Sequence, residues 1–260
     1  MKILVGIKHV PDTDTKIKLT ADGLSLDETG VKWIISPYDE FALEQALRIK
    51  EARGTGEVVI ACAGRDSAQA ALRQGLGLGA DRAVLVLDPR FDRADALVRA
   101  LALAGVVRQE AAELVLLGKY GVGTDEGQTG PMLAEVLDWP HVSAVSRFDL
   151  VGQEFTAARG IEGGLEIHEG RLPAVISCEK GLNEPRYASL KGIMQAKKKP
   201  VDVRTPTDVG LEVAALDRPR LVWESLEMPP ARSGARLIGG SSTEAATELA
   251  RLLREEAQVI

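Results

Sequence analysis

A chain of 260 residues with 45% apolar and 27% charged residues has the make-up of a globular protein able to bury a sizeable core. Its formal net charge of −6 argues against a general nucleic-acid surface, which needs a basic face to displace counterions. No apolar run approaches the ~18 residues needed to cross a bilayer, and the opening MKILVGIK is too short for a signal-peptide core, so a bacterial cytoplasmic protein without signal or transit peptide is expected.

In chain order, ILVGI reads as a first strand. SPYDEFALEQALRIKEARG follows as a helix, with Ser36 as cap, Pro37 at the first helical position and Asp39 at capping-box spacing. Leu43, Ala46 and Leu47 share a face of that helix, and Gly54 stops it. EVVIAC is the next strand, DSAQAALRQGLGLGAD a helix, AVLVL a strand and DRADALVRALALAGVV a helix capped by Asp92. ELVLLG and GQTGPMLAEVLD complete the alternation. This rhythm, with near-continuous apolar strands, predicts an α/β fold: an open, mostly parallel sheet with helices on both faces. From about Val142 the stretches VSAVSRFDLV, EFTAARG, LEIHEG and PAVISCE read as strands of an antiparallel section. Residues 1–200 thus form one α/β domain. From 201 the chain reads as a proline-punctuated arm ending in an amphipathic helix, with Ala246, Leu249, Ala250 and Leu253 on one face.

Cys62 and Cys178 lie in apolar runs without metal-ligand spacing and read as buried free thiols; the three histidines suggest no metal site. Two glycine stretches compete as phosphate loops. GLGLGA (75–80) closes a helix, whereas a dinucleotide fingerprint opens one. LLGKYGVGTDEGQTGPM follows a strand and leads into a helix. There Gly121, Gly123 and Gly127 allow close approach, and Gln128, Thr129 and Gly130 lie where free N–H groups favour a phosphate. It is no Walker loop, since Lys119 stands at the wrong end. No catalytic constellation stands out, and the chain reads as a binder. In LNEPRYASLKGIMQAKKKP (182–200), Leu190, Ile193 and Met194 fall on one helical face, and Gly192 weakens that helix. Lys197, Lys198 and Lys199 follow. The segment reads either as a core-facing helix with lysines at its negative end or as an exposed apolar anchor with a charged rim.

That last segment resembles the signature of the β-subunit family of electron transfer flavoproteins. The resemblance extends over KILVGIKHVPD, SPYDEFALEQALRIKE, LGLGADRAV, LLGK with DEGQTGPMLAEVLDWP, IEGGLE, PAVISCEKGLNEPRYASL and LLREEAQVI. It implies an adenine-nucleotide α-hydrolase-like fold, a heterodimer with an α subunit that carries most of the FAD, and a structural AMP in the β subunit. It further implies electron transfer from acyl-CoA or other flavin dehydrogenases, as in fatty-acid β-oxidation, to a membrane quinone oxidoreductase, with no catalysis of its own and no insertion into the membrane. Carried over by position, cofactor contacts fall on Gly6, Ser36, Pro37, Tyr38, Asp39, Ala63, Gly118, Lys119, Val122, Gly123, Asp125, Gln128 and Thr129, with Tyr38 near the flavin. The dehydrogenase-docking residues fall on Leu190, Ile193, Met194, Lys197 and Lys198, with Leu190 as anchor. The resemblance also allows two departures. Bifurcating members hold a second FAD in place of AMP, and they tend toward valine where this chain has Thr129. An acidic residue that in many members pairs with an α-subunit arginine and restrains the FAD domain falls on Gly160, so that restraint is expected to be missing or supplied by Glu162. A stand-alone stress-type nucleotide binder shares the α/β layout but has no need of the arm and terminal helix.

Overall fold

The computed structural model describes residues 1–230 and 234–260. Strand β1 (Lys2–Gly6) is followed by the short strands β2 (His9–Pro11) and β3 (Trp33–Ile35) and by helix α1 (Pro37–Arg53). Next come β4 (Glu57–Gly64), α2 (Gln69–Leu78), β5 (Arg82–Leu87), α3 (Ala96–Glu110), β6 (Leu114–Gly118) and α4 (Thr129–Leu137). The second half contains β7 (His141–Val151), β8 (Glu154–Ile161), β9 (Gly164–Arg171), β10 (Ala174–Cys178), α5 (Leu190–Ala196), β11 (Val201–Arg204), α6 (Val213–Asp217) and α7 (Ser242–Glu255).

Among the described residues, nine strands form one sheet in the order β11-β5-β4-β1-β6-β10-β7-β8-β9. Pairing is parallel from β11 to β7 and antiparallel through β7, β8 and β9. Strands β2 and β3 form a separate antiparallel ladder. Successive side chains of a strand point to opposite faces. Ile3 and Val5 therefore join Leu43, Ala46 and Leu47 of α1 and Leu72 and Leu76 of α2 in one core. Leu4 joins Val98, Leu103 and Val107 of α3 and Leu133 of α4 in the other. Because helices cover both faces, the central strands are apolar at almost every position.

Local expectations fail at several points, each for a physical reason. PAVISCE is a strand but not part of the antiparallel section: β10 lies parallel between β6 and β7. All five of its residues are buried, as a central parallel strand requires. Asp92 does not cap α3. A short 3-10 turn (Pro89–Arg93) intervenes, and Asp95 accepts the Val98 N–H at 2.9 Å. The stretch from Val201 first adds the edge strand β11, parallel to β5, before the chain continues. In α7, Ser241 and Glu244 form a capping box. Its buried residue is Leu252; on the apolar face read from the sequence, Ala246, Leu249 and Ala250 are exposed and Leu253 is half-buried.

The GLGLGA run closes α2, as its position implies, and its glycines serve packing. A Cβ on Gly75 would sit 2.7 Å from Ile60 Cδ1, and Gly77 faces Ala188 and Ile193. The chain divides into two units, Met1–Ser225 and Leu226–Ile260. The proline-punctuated stretch EMPPARSGARLIGGSS includes residues 231–233, which lie outside the described residues. No described helix is long and apolar enough to cross a membrane.

Candidate functional site

The carboxyl ends of β1, β4 and β6 are neighbours in the sheet, the place where open α/β sheets bind ligands. A cleft opens there, lined by Gly6, Lys8, Asp39, Ala63, Arg99, Gly118, Lys119, Tyr120, Gly121, Thr124 and residues 126–130. Sequence-derived candidates Gly6, Asp39, Ala63, Gly118, Lys119, Gln128 and Thr129 therefore come together from β1, α1, β4, β6, α4 and the loop before α4. Ser36, Pro37, Tyr38, Val122, Gly123 and Asp125 do not line it. A broader cleft of about 450 Å³ lies beside Trp33 and Arg65. Its cation is already matched, since Arg65 pairs with Glu28 at 2.6 Å and Asp92 at 3.5 Å.

The start of α1 departs from its local rule to build this site. Ser36 makes no side-chain cap; its buried hydroxyl accepts the N–H of Val122 at 3.3 Å and ties the loop down. Asp39 does not close a capping box. Its carboxylate accepts the Lys8 N–H at 2.7 Å and the Gly118 N–H at 2.9 Å, joining the ends of β1 and β6. Burial pushes the Asp39 carboxyl up to about 7, against the lowering effect of those two hydrogen bonds and of Lys8.

That displacement has a measurable consequence. Between about pH 4 and 7 the folded chain holds a proton on Asp39 that the unfolded chain has released. Stability from this group is therefore full at the acid end. It declines as pH rises, by at most about 1.4 kcal/mol per pH unit, and is level above 7. Urea unfolding at pH 5, 6 and 7 is expected to show this slope in the wild type and a flatter one in Asp39→Asn; identical slopes would remove Asp39 as the source.

Two cations that sequence patterning passed over face this cleft. Lys8 donates from Nζ to Thr124 Oγ1 at 2.7 Å and to the Gly121 carbonyl at 3.4 Å. Arg99 lies 3.8 Å from Glu126 and donates to the Phe91 carbonyl at 3.1 Å. Burial lowers the Lys8 ammonium, with the nearby Arg99 charge lowering it further; burial likewise lowers Arg99. Two crowded, desolvated cations beside free N–H groups at a helix start favour an anion. Both had faint signals: Lys8 stands just past the first strand, and Arg99 is the one charge in the apolar run 96–107 of α3.

On the rim, Tyr38 and Tyr120 pack with ring centroids 4.5 Å apart and hydroxyls 3.1 Å apart. Lys119 Nζ sits 5.8 and 5.2 Å from these two rings and pairs with Glu179 at 2.6 Å. Tyr120 is a partner of Tyr38 that the sequence did not reveal. The loop itself runs through positive φ at Gly123, Asp125 and Gly127, which is why glycine recurs there. Cys62 and Cys178 are buried free thiols as expected, and burial pushes Cys62 up to about 12. Among the described residues no cluster of three His, Cys, Asp or Glu side chains could hold a metal.

About the segment 182–200, the open choice between core and surface is settled by exposure. Leu190, Met194 and Ile193 are 83%, 71% and 48% exposed, and Tyr187 is 97% exposed. Only Ala196 of α5 is buried. Lys197 and Lys198 are exposed, whereas Lys199 turns inward to the carbonyls of Leu76 and Ala80 and is no part of the rim. Upstream, Arg186 clamps the buried Glu44 at 2.7 Å and Glu51 at 2.6 Å, and Asn183 donates to the Phe41 carbonyl at 3.0 Å. The segment is thus fastened to α1. Gly160 lies on β8 with open space where a side chain would project, and Glu162 is exposed.

Comparison with known proteins joins these features. Residues 23–209 match the model of the electron transfer flavoprotein domain. The chain is 36% identical, over the full length of both, to the electron transfer flavoprotein subunit beta of Bradyrhizobium diazoefficiens. It is 35% identical to that of Bacillus subtilis, again over both full lengths. With the human protein of the same name it shares 37% identity, covering 98% of this chain and 97% of the relative. A family model spanning most of the chain, and relatives matched from end to end, leave no segment of the α/β unit unaccounted for. The chain belongs to the electron transfer flavoprotein family, in its beta-subunit branch, and is an electron-transfer protein rather than an enzyme.

Proposed function

We propose that the chain pairs with an α subunit bearing FAD, holds an AMP in the cleft at the ends of β1, β4 and β6, and docks flavin dehydrogenases through α5. The complex passes their electrons on to a membrane quinone oxidoreductase. The observation that carries the nucleotide assignment is the pair of half-buried cations, Lys8 and Arg99, which line the cleft with the glycine loop and the start of α4. The donor set fits a monophosphate: two cations and backbone N–H groups, with Asp39 and Glu126 limiting the charge the site can accept. Glycine lets the walls close in: a Cβ on Gly130 would overlap Ser177 Oγ, and one on Gly121 would displace the Lys8 side chain. Free volume in the cleft is about 90 Å³, so binding displaces the Lys8 side chain from Thr124 or moves the 121–127 loop.

When bound, FAD supplies the electron-carrying chemistry. The chain's own contribution on that side is the Tyr38–Tyr120 pair with Lys119 beside it, an apolar, cation-flanked platform able to pack against a planar ring. Docking rests on the exposed apolar face of α5. A small, detachable contact is what a carrier that must release its donor requires.

Co-expression with the α subunit tests this reading. The purified pair is expected to be yellow, with one FAD and one AMP per heterodimer in the acid extract. Two FAD and no AMP would replace it with the bifurcating alternative, and a colourless single chain with the stress-type alternative.

A further inference from the structure

A seven-residue helix cannot hold itself: helices this short are marginal in water, and Gly192 in its middle costs about 1 kcal/mol relative to alanine. Yet α5 is formed, and it is the element that bears Leu190, Ile193 and Met194. Its support comes from α2. Arg73 of α2 donates from Nη1 to the carbonyls of Ala196 at 2.6 Å and Lys199 at 2.7 Å, at the exit of α5. In return, Lys199 donates from Nζ to the carbonyls of Leu76 at 3.0 Å and Ala80 at 2.5 Å, at the exit of α2. Arg73 of α2 and Lys199, three residues past α5, thus satisfy carbonyls at and just beyond each other's helix ends, where a cation also meets the negative end of the helix dipole. Between these ties, Gly192 faces the carbonyl of Gly77 so closely that a Cβ would overlap it. Gly192 is a seat for close contact and not a hinge. Ser189 closes the other end by accepting the Gly192 N–H at 3.0 Å.

We propose that Arg73 and Lys199 are positioning residues, a reciprocal pair of helix caps that locks α5 on α2 in a single orientation and so pre-organises the apolar docking face. Ordering that face before the encounter removes part of the entropy cost of binding. The consequence for function rests on the docking role proposed above; the latch itself does not.

The test uses the complete heterodimer carrying Lys199→Met, which keeps the aliphatic stem and removes the charge and donors. Amide exchange in 190–196 is expected to rise at least tenfold, with exchange in α1 and β1 unchanged. With an acyl-CoA dehydrogenase as donor, KM for the complex is expected to rise about fivefold, kcat staying within twofold and flavin content unchanged. Lys199→Arg, which can still donate to carbonyls, is expected to restore both, and Gly192→Ala to reproduce the exchange phenotype by unseating the helix. Wild-type exchange in both Lys199→Met and Gly192→Ala overturns the latch. Faster exchange with unaltered KM, while Leu190→Ala does raise KM, overturns its role in docking. If Leu190→Ala is also without effect, the docking reading fails instead, and the exchange result alone decides the latch.

Discussion

Leu190→Ala is expected to lower kcat/KM for electron transfer from the donor dehydrogenase roughly 30-fold, with flavin content, bound AMP and melting temperature unchanged. Leu190 is 83% exposed, so its truncation removes almost nothing that holds the free protein together. In a complex, an apolar residue that becomes fully desolvated at the centre of a small interface contributes about 2 kcal/mol or more. At about 1.4 kcal/mol per factor of ten, that is the stated loss. Ile193 lies one turn on and is less exposed, at 48%, so Ile193→Ala is expected to have a smaller effect. Stopped-flow reduction of the complex by the dehydrogenase distinguishes the cases. A Leu190→Ala complex reduced at the wild-type rate across donor concentrations would remove Leu190 as the anchor.

Gly118→Ala is expected to cost the complex most of its bound nucleotide, leaving less than about a tenth of an equivalent, and to lower its melting temperature by about 5 °C. Gly118 ends β6 against the first turn of α1. A Cβ there would lie 2.5 Å from Asp39 Oδ1, 2.7 Å from Tyr38 Cβ and 2.8 Å from the Tyr38 carbonyl carbon. The last of these is backbone, so strand and helix must separate, at a cost of about 1–3 kcal/mol for an overpacked contact. That separation breaks the Gly118 N–H bond to Asp39 and shifts Tyr38 with it. One methyl group thus disturbs both the floor of the cleft and its aromatic rim. Acid extraction followed by chromatography reads the AMP content directly; a full equivalent in Gly118→Ala would show that β6 and α1 need not touch for the site to form.

The parallel core was legible because burial on two faces leaves a simple trace: β1, β4, β5 and β6 are near-continuous apolar runs, with charge only at the first residue of β1, β4 and β5. The glycine loop after β6 was legible because glycine and a helix start fall together beyond a strand. Harder to see was the difference between a central strand and a meander strand of similar composition, as β10 shows; its five consecutive buried residues are the signal that separates it from the alternating β8. Side chains with two plausible employers were misjudged. Ser36 and Asp39 fit a capping box, but their hydrogen bonds go to Val122, 86 residues away, and to Gly118, 79 residues away. Arg99 carries no motif, and Lys8 stands inside one that gives it no role, because what makes the two a site is their meeting.

Periodicity, turn chemistry and the family motifs were properties of the sequence by itself, since each depends on neighbours a few residues apart or on residue order alone. The partner of each polar group was decided only by tertiary structure. A buried donor or acceptor must be satisfied, and which strand ends and helix ends lie close enough to satisfy it depends on sheet order. Lys199 stands beside two exposed lysines in the sequence and differs from them only because the exit of α2 lies beneath it. Gly192, which weakens a helix considered alone, stabilises this one by letting it touch another.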